Sequence, residues 1–395
     1  MFINSRVVNL RNQGLKLESA AAIDDLFKGI DLADVEEVIL TGNTLGVDAA
    51  EGLGNVLRKM TKLKVAQLSS IFISRSIDEI PPALTFICNA LLECKQLTEV
   101  DLSHNAFGQR SVDPVVPLLS DCLSLQVVKL ANVGLNWQGG QILAQALLTS
   151  AKKSKELDQP SKLKCLVISR NLLKDGSAST WGEVIAAHPN LQRLDMLRTD
   201  LREDGIIAIA SALAKCRSLR HLNLCDNVIA NYGAKEGVRG WKVVADAIRA
   251  AEDLRYLDLS SCVLEKDGCD EIIAALGEQS YPRLRKVNLN GNDFSEANYA
   301  TLKDVITDKL PALTILNIAD NDGLEDNDVV AEIGTLLEGR GGRLILEEED
   351  EDEDLYEDTS DLDGEGAVEP RIIKSEDLGV DQLADMISTN LTLQV

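Results

Sequence analysis

Two side chains in this sequence stand where their chemistry could act on another molecule. Arg75 lies in the stretch SSIFISRSIDEIPP (69–82), and Asn132 lies in ANVGLN (131–136). A guanidinium presents its donors as a rigid fork that matches a carboxylate or a phosphate. A primary amide donates and accepts at once, so it can fix the orientation of a group on a partner. Asp195, Asp226 and Asp258 join them as carboxylates placed to face a basic patch. Nothing else is spaced for chemistry of the chain's own. His104, His188 and His221 are scattered, GxxxxGK[ST] and GxSxG are missing, and GRGG (339–342) is an isolated turn. The eight cysteines show neither C-x-x-C nor any metal-ligand spacing. The expectation is a binding protein without metal or cofactor, not an enzyme acting alone.

The elements that must position these residues are repeats. LTEVDLSHNAF (97–107), LRHLNLCDNVI (219–229) and LRKVNLNGNDF (284–294) share L-x-x-L-x-L-x-x-N-x-L, the leucine-rich repeat signature. With the last residue of LxL as anchor, eleven copies fall at Leu10, Leu40, Leu68, Leu102, Leu130, Ile168, Met196, Leu224, Leu259, Leu289 and Ile318. RLIL (343–346) forms a terminal strand-like stub. Most anchors are 28–30 residues apart, which leaves room for a full helix on the return path. GGQILAQALLTS (139–150) and DGIIAIASALAKC (204–216) carry the helical spacing of apolar residues. The predicted fold is an α/β leucine-rich repeat solenoid with long, ribonuclease-inhibitor-type repeats, a crescent with an inner parallel sheet and outer helices over residues 1–346. A composition 45% hydrophobic but only 4% aromatic fits interiors of Leu, Ile, Val and Ala.

Three positions after the anchor, Asn43, Asn105, Asn171, Asn227, Asn292 and Asn321 supply a buried amide for turning backbone. Thr199 and Cys262 are serviceable variants. Ile71 and Val133 cannot make such bonds, so the ladder is expected to break in the third and fifth repeats, and a local rule broken often marks a functional place. Three repeats are long. The third and eighth are extended after their strands, in 69–82 and 231–241, on one rim; the fifth is extended after its helix, in 152–162, on the opposite edge. Arg75 sits in the first of these loops. Asn132 follows its anchor by two residues on the same rim, as does Asp226 three repeats on. Two strand spacings would separate the Arg75 and Asn132 sites by roughly 10 Å. Asp195 and Asp258 occupy strand positions expected to face the concavity and make it negative.

Net charge is −24, unevenly placed: residues 347–395 hold 18 acids and 2 bases, or −16. Residues 347–377 form an acidic stretch too polar to bury a core, and 378–395 carry the pattern of a short amphipathic helix. A basic protein is the expected class of partner; nucleic acid is not, because phosphate binding needs a basic surface. Cys94, Cys122 and Cys216 recur between helix and next strand, as small buried hydrophobes in a reducing compartment. No apolar run reaches membrane-spanning length, so no membrane is expected, and the location is cytosolic or nuclear.

The array, with its acidic tail, resembles the Ran GTPase-activating proteins, and the likeness covers essentially the whole chain. IFISR followed by DEIPPAL (71–84) is similar to the family's arginine loop, and ANVGLN (131–136) to its asparagine segment. DLSHNAFG (101–108), SRNLLKDGSASTW (169–181) and LNGNDFSE (289–296) resemble further family phrases. The resemblance implies that Arg75 corresponds to the family's invariant arginine and Asn132 to its partner-contacting asparagine. It implies a monomer that docks on Ran in its GTP form, alone or with a Ran-binding protein. It would order Ran's own catalytic glutamine instead of inserting an arginine finger, with GTP and magnesium belonging to the partner. The implied location is cytoplasmic or perinuclear. Plant-type and vertebrate targeting domains are lacking, so anchoring at the nuclear pore is not expected. Thr199 and Asn136 depart from the family's usual Asn and Gly. The competing readings are an acidic-tailed histone chaperone or inhibitor of a basic protein, and a ribonuclease-inhibitor-like binder.

Overall fold

The computed structural model describes residues 6–230 and 238–347. Twelve strands of three residues, from Val7–Asn9 to Arg343–Ile345, pair in parallel in strict sequence order. The register is uniform: Val100, Val128, Leu166, Leu194, Leu222 and Leu257 stand side by side, each buried beneath the sheet. The residues on either side of them face the inner surface, as period-two alternation requires. Between strands the chain returns through helices such as Val47–Leu57, Ile80–Glu93, Trp137–Glu156 and Glu203–Leu213, which pack on their sequence neighbours. A helix is about 10 Å wide and strands lie about 4.8 Å apart, so the stack must curve with its sheet inside.

Each helix forms for local reasons. In Glu203–Leu213 the buried Ile206, Ile209, Ala210 and Leu213 recur every three or four residues, toward the core. Asn136 caps Trp137–Glu156 by accepting from the Gly139 amide at 2.9 Å. That helix runs on to Glu156. The extension expected as a loop at 152–162 is therefore helix up to Glu156 and loop from Leu157 on. The tail, the amphipathic stretch, and residues 231–237 of the eighth-repeat insertion lie outside the described residues.

The amide ladder does not break at Ile71 and Val133. Each Asn serves its own repeat and the one before it. Asn105 donates to the Leu102 and Leu68 carbonyls and accepts from the Ile71 amide at 2.8 Å. Asn171 donates to Leu130 and accepts from Val133 and Leu135. Asn227 and Asn292 do the same for the repeats of Thr199 and Cys262. An apolar residue in alternate repeats is thus part of a regular structural pattern and carries no functional mark.

A second ladder lies one residue earlier. Every residue two positions past an anchor, from Asn12 through His104, Asn132 and Asp226 to Asp320, is left-handed, with φ between 51° and 77° at these and at Gly42, and 50° at Ser261. Ten of the eleven, Asn12 through Gly291, send their amide to the following repeat, as Asn132 does to the Ser169 carbonyl at 2.8 Å. Asn, Asp and His tolerate this conformation better than most residues.

All eight cysteines are buried, and none forms a disulfide. Cys94, Cys122 and Cys216 hold equivalent turns, each thiol reaching a carbonyl earlier in the chain (Leu57, Leu97 and Ile185). Burial pushes the Cys94 and Cys216 thiols up to about 11, so neither is a nucleophile at neutral pH.

Candidate functional site

The arginine loop follows the strand Val65–Gln67 and ends where the helix Ile80–Glu93 begins, with prolines in its first turn. Phe72 is buried and bridges Thr44, and the Thr44 hydroxyl donates to the Ile73 carbonyl at 2.5 Å. Ser74 is left-handed at φ 61°, turning the chain so that Arg75 heads back toward the first repeat. There both terminal nitrogens of Arg75 meet Glu18, at 2.8 and 2.7 Å. Glu79 approaches at 3.6 Å. The arginine side chain is only 11% exposed, whereas Glu18 is 64% exposed. Hydrogen bonding to Glu18 is the main cause raising the Arg75 pKa, and the same bond is the main cause lowering that of Glu18.

This placement revises the expected distance. The guanidinium lies over repeats one and two, so three to four strand spacings, roughly 15–19 Å, separate it from the Asn132 repeat. Asn132 itself is exposed, with its amide 3.4 Å from the His104 ring nitrogen. Beyond it the same row of left-handed turns brings Arg170, Arg198 and Asp226 to the rim. Asp226 is half exposed and accepts from Arg198 at 2.6 Å.

Asp195 and Asp258 do face inward, but neither is free for a partner. Asp195 is 1% exposed, accepts from the Ser169 hydroxyl and Arg193, and lies 3.8 Å from His221. Asp258, equally buried, accepts from Tyr256, Ser260 and Asn288. Burial raises its pKa against those bonds. They organise the inner face; as placed, they are not direct contacts. Nor is that face uniformly negative. Lys129 pairs with Glu99 at 3.3 Å, and an inner groove of about 160 Å³ is lined by Arg11, Lys129 and Arg170 as well as Asp101 and Asp195.

Two of the three histidines have structural posts. His188 is buried in a helix-to-strand turn against Ser161 and Leu147, and His221 stacks on Tyr256 at 4.1 Å. Among the described residues there is no cluster of His, Cys, Asp or Glu able to hold a metal ion, and no helix long and apolar enough to cross a membrane. Glu18 and Gly46 are the site residues that sequence reasoning missed. They lie far from Arg75 in the chain, and only the stacking of repeats brings the three together.

A family model described as Leucine Rich repeat matches residues 215–236 and 252–272. Ran GTPase-activating protein 1 of Saccharomyces cerevisiae is 25% identical over 82% of this chain and 80% of its own length. The chain is similar to Ran GTPase-activating proteins across most of its length. Ran GTPase-activating protein 1 of Xenopus laevis is 35% identical over 48% of this chain, and the Ran GTPase-activating protein of Drosophila melanogaster is 28% identical over 73%. The aligned region spans only 33% of the frog protein and 52% of the fly protein. The arginine loop and the Asn132 turn are built on an extended leucine-rich repeat array.

Proposed function

We infer that this chain stimulates GTP hydrolysis by the GTPase Ran, docking on its GTP form. Similarity to several Ran GTPase-activating proteins supports this reading, and the likeness to the yeast activator across most of both chains carries it. The nucleotide, the magnesium ion and the reacting groups belong to Ran; this chain's residues bind and orient. Asn132 presents an exposed amide on a turn fixed by the sheet. It can donate to and accept from the catalytic glutamine of Ran, holding that side chain against the attacking water. Holding a group in productive geometry, without adding new chemistry, can by itself lower a barrier substantially.

An arginine finger is not part of this mechanism. Arg75 is largely buried and both its ends are engaged by Glu18, so it offers no free guanidinium to a phosphate. Two and three repeats beyond Asn132 on the same rim, Arg198 and Asp226 supply polar contacts at the edge of the interface. Single-turnover hydrolysis by Ran loaded with GTP, with and without this chain, tests the reading. Stimulation that is abolished by an Asn132 substitution is expected.

A further inference from the structure

We propose that Glu18 is a positioning residue for this activity: it locks Arg75 within the chain, so that the loop meets Ran through Ile73 and Ile77. The proposal rests on the Ran reading above. Four observations carry it. The fork is two-ended, at 2.8 and 2.7 Å, the geometry in which a guanidinium and a carboxylate bind most specifically. The pair is built over Gly46, where an added Cβ would come 2.8 Å from the Glu18 carboxylate and 3.5 Å from Arg75. Glu79 adds a second carboxylate, so one cation and two anions leave the cluster net negative and unsuited to meeting a phosphate. Finally, Ile73 and Ile77, on either side of the buried arginine, are 52% and 49% exposed.

These facts assign inside and outside of the loop. Thr44 and Glu18 hold its inner side to the first two repeats, and two isoleucines stand outward where a polar loop would be expected. Releasing the fork frees Arg75 and lets the isoleucines drift from the position in which they are presented. Loss of Arg75 and loss of Glu18 should then be the same lesion.

The test is kcat/KM for Ran-GTP hydrolysis with Glu18→Ala, Arg75→Ala, the double variant, and the exchange Glu18→Arg with Arg75→Glu. Each single variant should lose on the order of tenfold to a hundredfold, the scale of a misplacement of about 1 Å. The double variant should be no worse than either single one, because residues of one contact are not additive. The exchange should regain activity above the single variants, since the guanidinium moved to position 18 could still meet the carboxylate moved to position 75. Gly46→Ala should lose activity as Glu18→Ala does. Thermal midpoints within a few degrees of that of the parent chain are expected, because Glu18 is 64% exposed and Glu79 stays beside Arg75 when Glu18 is lost. Full activity of Glu18→Ala beside a crippled Arg75→Ala would overturn the proposal, because Arg75 would then act on Ran directly. A parent chain inactive on Ran would instead refute the functional reading itself.

Discussion

Asn171 makes the hydrogen bonds that Val133 cannot. Its amide nitrogen reaches the Leu130 and Ile168 carbonyls at 2.9 Å, and its oxygen accepts from Val133 and Leu135 at 3.3 and 3.1 Å. One side chain thus satisfies the turns of two repeats. Its replacement by Ala would strand several buried polar groups, each costing about 1–3 kcal/mol. Asn171→Ala should therefore lower stability by at least about 3 kcal/mol, read as a fall in the urea midpoint. A loss under about 1 kcal/mol would show that the shared ladder contributes little.

Asn132 calls for a variant that separates turn from side chain. Its φ of 52° suits glycine, so Asn132→Gly keeps the turn while deleting the amide. Folding should be spared, with a thermal midpoint near that of the parent. Stimulated hydrolysis should fall by about 10²-fold or more, the usual scale for removing one positioned donor. Asn132→Ala should add a strain cost of about 1 kcal/mol. Normal activity of the glycine variant would remove Asn132 from the site.

The repeat architecture is legible because its signal is periodic: anchors mostly 28–30 residues apart specify strand, turn and helix. Arg75 and Asn132 can be placed on one rim for the same reason. What cannot be read is where the side chains go. Ile71 and Val133 look like breaks because the amides that rescue them stand one repeat later. Asp195 and Asp258 are rightly placed inward, but strand alternation does not reveal neighbours that bury and occupy a carboxylate. The Glu18–Arg75 fork depends on how loops from the first and third repeats fold over Gly46, and no local pattern encodes that.

His188 gives the chain an acid-sensitive point. Burial depresses its pKa to about 4 from an ordinary 6.5, opposed by its bond to the Leu147 carbonyl. Between those values the unfolded imidazole binds a proton and the folded one does not. Stability should accordingly fall as pH drops from about 6.5 toward 4, by up to about 3 kcal/mol in total. Imidazole titration followed by NMR checks this: a midpoint near 6.5 for His188 would contradict its burial as a neutral group.

The acidic segment should act on encounter and not on the chemical step. Residues 347–395 carry −16 of the total −24, and exposed charge steers association but is screened beyond about 8 Å at physiological salt. Truncation after residue 347 should leave kcat near the parent value and flatten the dependence of association rate on salt. Identical salt slopes for the two chains would deny the segment any steering role.

The most direct test of the central claim is single-turnover hydrolysis of Ran-bound GTP at saturating concentrations of this chain. An activator of this kind should raise the rate by several orders of magnitude, up to about 10⁵-fold. An unchanged intrinsic rate with the folded chain bound to Ran would contradict the account, leaving a binding protein that holds the GTPase without activating it.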